Sequence, residues 1–310
     1  MTDGQKGVMA MAATGTVWGL SGIYYKLVAH VPPLEVLAHR SVWSLVFFLA
    51  VLWLQGRLGV IRTAFADRKA LRLLVVTALT ISVNWFGFIF AIQSGHATEA
   101  SLGYYIFPLV AAALGFAILR ERFSRLQLVA VTLAAVAVVT LSVGLGDVPW
   151  IALMLAGTFG LYGLLKKLIE LGPVVSVTIE VILILPLAGG YLALLHAGAI
   201  GAGGGAFGGS LRDSLLLGFS GVLTGLPLVL FAYAARRVSY TTLGLVQYLN
   251  PTLQFLVAVL IFGEAFTSYH AVAFPLIWGG LALYSADSLL RERRARRAAT
   301  RSGTSVTTSR

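Results

Sequence analysis

Arg40, Glu180 and His39 are the residues whose chemistry most needs an explanation, because each falls inside a long apolar stretch. An ionisable group surrounded by hydrocarbon is costly unless it is paired or hydrated, so each is a candidate for function. A carboxylate such as Glu180 can carry a proton through a transport cycle, or it can fix two helices together by a hydrogen bond. Arg40 has the planar fork that grips a carboxylate or another anion, and its structural alternative is a fixed ion pair with Glu99 or Glu35. His39 stands one helical turn from Glu35, where it can titrate near neutrality or simply sit hydrated at a helix end.

Uncharged polar and aromatic groups surround these three. Asn84, Gln247, Tyr248, Asn250 and Gln254 offer hydrogen bonds at membrane depth, either to a passing solute or between helices. Trp18, Trp85, Tyr104 and Tyr105 could wall a path for an amphiphile or serve packing and interface anchoring. Gly19-Leu20-Ser21-Gly22 fits a short pattern of intramembrane serine proteases, but a serine nucleophile needs a histidine within reach, and His39 and His270 both fall near span ends. Zero cysteines exclude disulfides and thiolate chemistry, no phosphate-cradling glycine loop of the Walker type occurs, and no metal or other cofactor is expected.

The elements that must position these residues are membrane spans. A mean hydropathy of +0.88 with 58% hydrophobic and 11% charged residues leaves too little polar surface for a water-soluble globule. Stretches near the roughly 20 residues needed to cross a bilayer run from Gly7 to Leu27, Leu34 to Leu54, Leu71 to Ile92, Ala100 to Leu119 and Leu126 to Val143. The second set runs from Val148 to Leu165, Val174 to Leu195, Leu215 to Ala235, Thr241 to Phe262 and Tyr269 to Ser288. The first of them is read as retained rather than as a signal peptide, since only Lys6 marks a basic leader.

Charge sets the orientation. With Met1 in the cytoplasm, 20 of the 23 basic residues fall on the cytoplasmic side, Lys26 and Arg212 fall outside, and Arg40 lies within a span. The excess of positive charge is therefore topological, no nucleic-acid module is expected, and the arginine-rich tail from Arg291 suits anionic lipid headgroups. The connections are short except for a polar stretch from Gln55 to Ala70 and a glycine-rich one from Ala197 to Ser210, expected to be a mobile external loop.

The halves repeat with an offset near 142 residues: Gly15-Thr16 answers to Gly157-Thr158, Pro33 and Arg40 to Pro173 and Glu180, and Pro108 with Glu121 to Pro251 with Glu264. Five spans per copy is an odd number, so the copies, residues 1–145 and 146–290, enter the membrane from opposite sides, with 291–310 as a basic cytoplasmic tail. The expected fold is an all-α polytopic membrane protein of ten transmembrane helices in two inverted repeats. Gly15, Gly19 and Gly22 in one copy and Gly157, Gly160 and Gly163 in the other suggest close helix packing. Glu121 and Glu264, where spans turn into the next, suit a carboxylate ahead of a helix N-terminus, and Asp287 with Arg291 has the spacing of a surface pair.

The run from Glu99 to Leu109, with Asn84-Trp85-Phe86 before it and Glu121-Arg122-Phe123 after it, resembles the RarD family, in the EamA group of the drug/metabolite transporter superfamily. Trp18-Gly19, the run from His39 to Ser44, Ile179-Glu180, Thr242-Leu243-Gly244, Gln247-Tyr248 and Asn250-Pro251 extend the likeness over nearly the whole chain before the tail. The resemblance implies ten helices in two EamA repeats and a permease of the bacterial inner membrane, in a family whose name is linked to chloramphenicol sensitivity. Two departures stand out: Phe107 occupies a place where the family usually has asparagine, and Arg120 one where it has glycine.

The expected activity is secondary transport of a small amphiphilic metabolite or drug by alternating access. Export is favoured by the resemblance alone, and both proton coupling through Glu180 and uniport stay open. A passive channel or receptor-like membrane protein is the alternative, with an intramembrane serine hydrolase behind it.

Overall fold

The computed structural model describes residues 1–119, 124–201, 204–238 and 240–301. Every element among them is helical: α1 (Asp3–Leu27), α2 (Pro33–Leu54), α3 (Gly59–Ala66), α4 (Arg68–Gln93), α5 (Ala97–Leu119), α6 (Arg125–Leu145), α7 (Trp150–Lys166), α8 (Pro173–His196), α9 (Leu211–Ala235), α10 (Tyr240–Gln247), α11 (Leu249–Leu256), a π turn at Val257–Ile261, and α12 (Ser268–Arg301). Among the described residues seven stretches are long and apolar enough to cross a membrane, and α7 is a shorter apolar helix. Glu121, and the side chains of the arginine run from Arg291 on which the headgroup contact and the Asp287 pair rest, lie outside the described residues.

Local chemistry explains the helix starts. Thr2 and Ser124 open α1 and α6 with capping boxes completed by Gln5 and Gln127, and Asp67 caps α4 by accepting from the amides of Lys69 and Ala70. Pro33 and Pro173 occupy the first positions of α2 and α8, where a missing amide costs nothing.

Three sequence expectations are corrected. The polar stretch from Gln55 to Ala70 contains α3, whose Ala64 packs with Leu74, Ile169 and Ile179. The ninth span is not one rod: Pro251 cannot donate to the carbonyl of Gln247, the chain breaks at Tyr248, and a wide turn follows in which Phe262 N–H reaches back to Val257 at 2.9 Å. The glycine-rich loop is docked over its described second part. The Ala206 amide donates to Glu35 Oε1 at 2.6 Å, and Phe207 stacks on His39 at 5.0 Å.

The helices pack as matched interfaces. α1 lies against α9 and α11, and α7 lies against α4 and α5; α2 lies on α9 and α8 on α4; α2 meets α8, and α6 meets α12. Close approach follows from small residues. A methyl on Gly19 would come within 2.6 Å of Leu253 Cβ, and one on Gly160 within 3.3 Å of the Ala111 backbone. Gly157 and Gly163 have no such neighbour, so the packing role holds for Gly15, Gly19 and Gly160 and not for those two. The apolar side chains left outside, such as Val75, Leu79 and Val83 on α4 and Val136, Val139 and Val143 on α6, form a surface suited to lipid.

Candidate functional site

A cavity of about 360 Å³ lies at the centre of the bundle. Three helices each present a stripe to it at helical spacing: Trp18, Ser21 and Tyr25 from α1; Ile81, Asn84, Trp85 and Phe88 from α4; Phe159, Tyr162, Gly163 and Lys166 from α7. Tyr104, Thr224, Gln247, Asn250 and Gln254 close it from α5, α9, α10 and α11. A wall of rings with a few fixed polar groups is the usual make-up of a small-molecule site.

Arg40 enters this space from α2. Its guanidinium carbon lies 4.2 Å from the centre of the Trp85 ring and 5.9 Å from that of Tyr25, and Nε–H donates to Thr224 Oγ1 at 2.9 Å. The Thr224 hydroxyl donates its own hydrogen to the Ser220 carbonyl, which leaves its oxygen to receive Nε–H. Arg40 forms no ion pair among the described residues. Both carboxylates considered as partners are engaged elsewhere: Glu35 with Ala206, and Glu99 with the amides of Ile151 and Ala152 at the start of α7.

Glu180 has the opposite surroundings. Its side chain is 1% exposed and lies 2.7 Å from Lys166 Nζ, while Thr77 donates to Oε1 at 2.6 Å and the Tyr162 hydroxyl to Oε2 at 3.1 Å. Lys166 also donates to Ser176 and lies 5.1 Å from the centre of the Tyr162 ring. Thr77 and Trp85 stand eight residues apart on α4, so the two charged sites are separated by about 12 Å along that helix at 1.5 Å per residue.

Asn84 joins the walls. It donates to the Leu155 carbonyl at 3.0 Å and to Thr158 at 2.9 Å, and it accepts from the Tyr104 hydroxyl at 2.9 Å. Gln254 donates to Asn250 at 3.0 Å, leaving Gln254 Oε1 buried with no partner among the described residues. Phe107 packs edge-on against Phe159 at 4.9 Å and takes no part in an amide pair with Asn250.

The structure therefore brings together Trp18, Arg40, Asn84, Trp85, Tyr104, Gln247 and Asn250. It places four others elsewhere, Glu180 among them in its own cluster with Lys166 and Thr77. Tyr105 points away from the central cavity into the core between α5 and α12, where it is buried, bonds Thr252 at 2.8 Å and packs on Phe274. Tyr248 lines an adjoining cavity of about 220 Å³ with Phe107, Pro108 and Tyr284. His39 lies beneath the docked loop, 4.0 Å from Glu35 and with its ring centre 6.4 Å from that of His196. Ser21 faces the cavity, but its hydroxyl donates to Trp18 O at 2.6 Å, while the contacts of His39 and His270 lie elsewhere, so Ser21 meets neither histidine among the described residues. Glu264 meets the start of α5 rather than that of the span it precedes, accepting from the amides of Ala97 and Thr98 at 2.7 Å each, which corrects the expected hairpin role.

Sequence reasoning missed Lys166, Tyr162, Thr77 and Thr224. One signal was available: a buried carboxylate requires a cation, and Lys166, 14 residues before Glu180, is the near one whose lower stem continues the apolar stripe of α7.

Long apolar helices closed around a solute-sized site of this make-up define a multi-pass membrane transporter. The family model of EamA-like transporters matches residues 5–143, and the chain belongs to the RarD family within that group. It is 41% identical to the uncharacterized transporter YojE of Bacillus subtilis, over 91% of this chain and 94% of that one. It is 42% identical to protein RarD of Streptomyces exfoliatus, over 90% and 88% of the two chains, and 37% identical to protein RarD of Escherichia coli, over 94% and 97%. A solved crystal structure, 18% identical, superposes with a TM-score of 0.58 over 93% of this chain and 98% of its own, a likeness of fold.

Proposed function

We propose that this chain is a secondary transporter of the bacterial inner membrane, with both termini in the cytoplasm, which moves a small amphiphilic solute through the central cavity by alternating access. The cavity carries the reading: residues 1–145 supply Trp18, Arg40, Asn84 and Tyr104 to it, and residues 146–290 supply Tyr162, Lys166, Thr224 and Asn250. Ten spans in two inverted halves are supported by the main interfaces, since exchanging α1 with α7, α2 with α8, α4 with α9, α5 with α11 and α6 with α12 turns each interface named above into itself or into another of them. The halves then rock about the solute, and the arginine-rich tail rests on anionic headgroups.

The coupling group is Glu180. A proton on its carboxyl cancels the attraction that holds Lys166, so α7 and α8 part at that end when the site is protonated and close when it is not. Outward movement of solute against inward movement of protons fits this arrangement. Flux through purified protein in liposomes tests it, with amphenicols, amino acids and aromatic acids as solutes, with and without a pH gradient, for wild type and Glu180→Gln. Uphill movement that needs the gradient and vanishes in the variant is the expected result. Conductance without saturable counterflow would instead mark a channel.

A further inference from the structure

We propose that the solute is a small organic monoanion whose acidic group docks on Arg40 and whose apolar body lies among the rings. The inference rests on the transporter reading and adds the chemical class of the cargo. It starts from the charges at the cavity: Arg40 and Lys166 line it and are positive, and Glu180, buried outside the lining, is negative and lies against Lys166. Glu180 is consumed by Lys166 at 2.7 Å, so one positive charge is left over, and it lies on Arg40.

The way Arg40 is held fits a binding group better than a structural one. A guanidinium whose task is to lock helices is ordinarily neutralised by a carboxylate, because a buried cation without a counter-charge is strongly disfavoured. Here the two holders, Thr224 and Trp85, are neutral, and they fix the side chain without discharging it. Nε is committed to Thr224, while no partner for either Nη group occurs among the described residues. Those two nitrogens form the end-on fork that receives both oxygens of a carboxylate. One negative charge on the solute balances the site, two overshoot it, and a cation adds to the excess.

The rest of the cavity sets the body of the solute. Trp18, Trp85, Tyr104 and Phe159 supply flat apolar faces. A volume of about 360 Å³ lies near the lower end for small-molecule sites, which suits a single-ring acid more than an extended amphiphile.

Matched probes test the assignment on the full purified chain in lipid nanodiscs: phenylacetate and hippurate as monoanions, phenylacetamide and hippuramide as neutral isosteres, phenylsuccinate as a dianion and phenethylamine as a cation. Binding is followed by tryptophan fluorescence, since Trp18 and Trp85 line the cavity, and by calorimetry. The acids are expected to bind about tenfold or more tightly than their amides, from the charge-assisted bonds to the fork. Arg40→Gln should erase that preference while leaving amide binding within about twofold, and Arg40→Lys should keep part of it. The comparison of probes on the wild-type chain needs no variant to fold. Equal binding of acid and amide, a preference that survives Arg40→Gln, tighter binding of the dianion or cation, or no binding of either acid would each overturn the proposal. Counterflow separates it from the transporter reading. Arg40-dependent acid binding without counterflow removes transport and keeps the anion site, whereas counterflow that treats acids and amides alike does the reverse.

Discussion

Arg40, buried, and Lys166, partly buried, are cations facing the same cavity, yet they are held in opposite ways. Lys166 meets a carboxylate at 2.7 Å and a hydroxyl, so its charge is spent within the protein. Arg40 meets a hydroxyl and two rings, so its charge is only positioned. The sequence places Arg40 within one apolar stretch and Lys166 at the end of another, and does not say what will stand opposite either. Folding distinguishes them by what α8 and α9 bring opposite: Glu180 in one case and Thr224 in the other.

The largest expected effect comes from breaking the balanced site. Glu180→Gln leaves Lys166 without a counter-charge in a poorly hydrated place, and we expect a loss of about 3 kcal/mol, read as a fall in melting temperature of the detergent-purified protein. The double variant Glu180→Leu with Lys166→Met should recover most of the loss, because it removes the orphaned charge together with its partner. Losses that simply add would mean the two groups are not coupled, and the contrast with Arg40 would collapse.

A middle-sized effect is expected at a carboxylate balanced by helix amides rather than by a cation. Glu264→Gln keeps the size of the side chain but loses its charge and one of the two accepting oxygens at the start of α5, which should cost about 1 to 2 kcal/mol. Hydrogen exchange at the amides of Ala97 and Thr98 checks it directly, since both donate to that carboxylate. Protection unchanged by the substitution would show that the charge is idle there.

The smallest effect on stability should come from Arg40→Gln. The variant loses a contact with Trp85 worth about 1 kcal/mol and one hydrogen bond, but it also relieves an unbalanced charge. We expect a net change under about 1 kcal/mol, measured in the same melting experiment as Glu180→Gln. A drop as large as that of Glu180→Gln would reveal a counter-charge for Arg40 and break the comparison at its root.

Much of the scaffold was legible because hydrocarbon imposes a length and a composition on every span. The ends of α2, α4 and α8 fall within three residues of their apolar limits. α3 was hidden by its brevity and its polar flanks, and the break at Tyr248 by the ambiguity of a proline, which marks a bend, a break or neither until the neighbours are known. The site was legible residue by residue and not as an arrangement. Tyr104 and Tyr105 are adjacent and chemically alike, yet successive helical positions point about 100° apart, and only the packing of α5 against α7 and α12 decides which ring faces the solute. Thr77 and Thr224 were invisible because a threonine in an apolar helix ordinarily bonds its own preceding turn, as both also do here.

The carboxylates at helix starts have a mechanical consequence. Glu264, beyond the π turn, ties down the first amides of α5, and Glu99, on α5, ties down those of α7. The α5 and α7 starts are thus each fastened by a side chain from a different segment, like successive planks pinned to one another along a single edge. Planks joined in that way swing apart most easily at the edge where no carboxylate holds backbone amides. There α7 ends in Lys166 and meets α8 through side chains alone, the Lys166–Glu180 ion pair and the bonds of Lys166 to Ser176 and of Tyr162 to Glu180. The bundle therefore has a stiff rim and a compliant one, and the difference between them is set by where a few acidic residues find backbone N–H groups and where one of them finds a lysine.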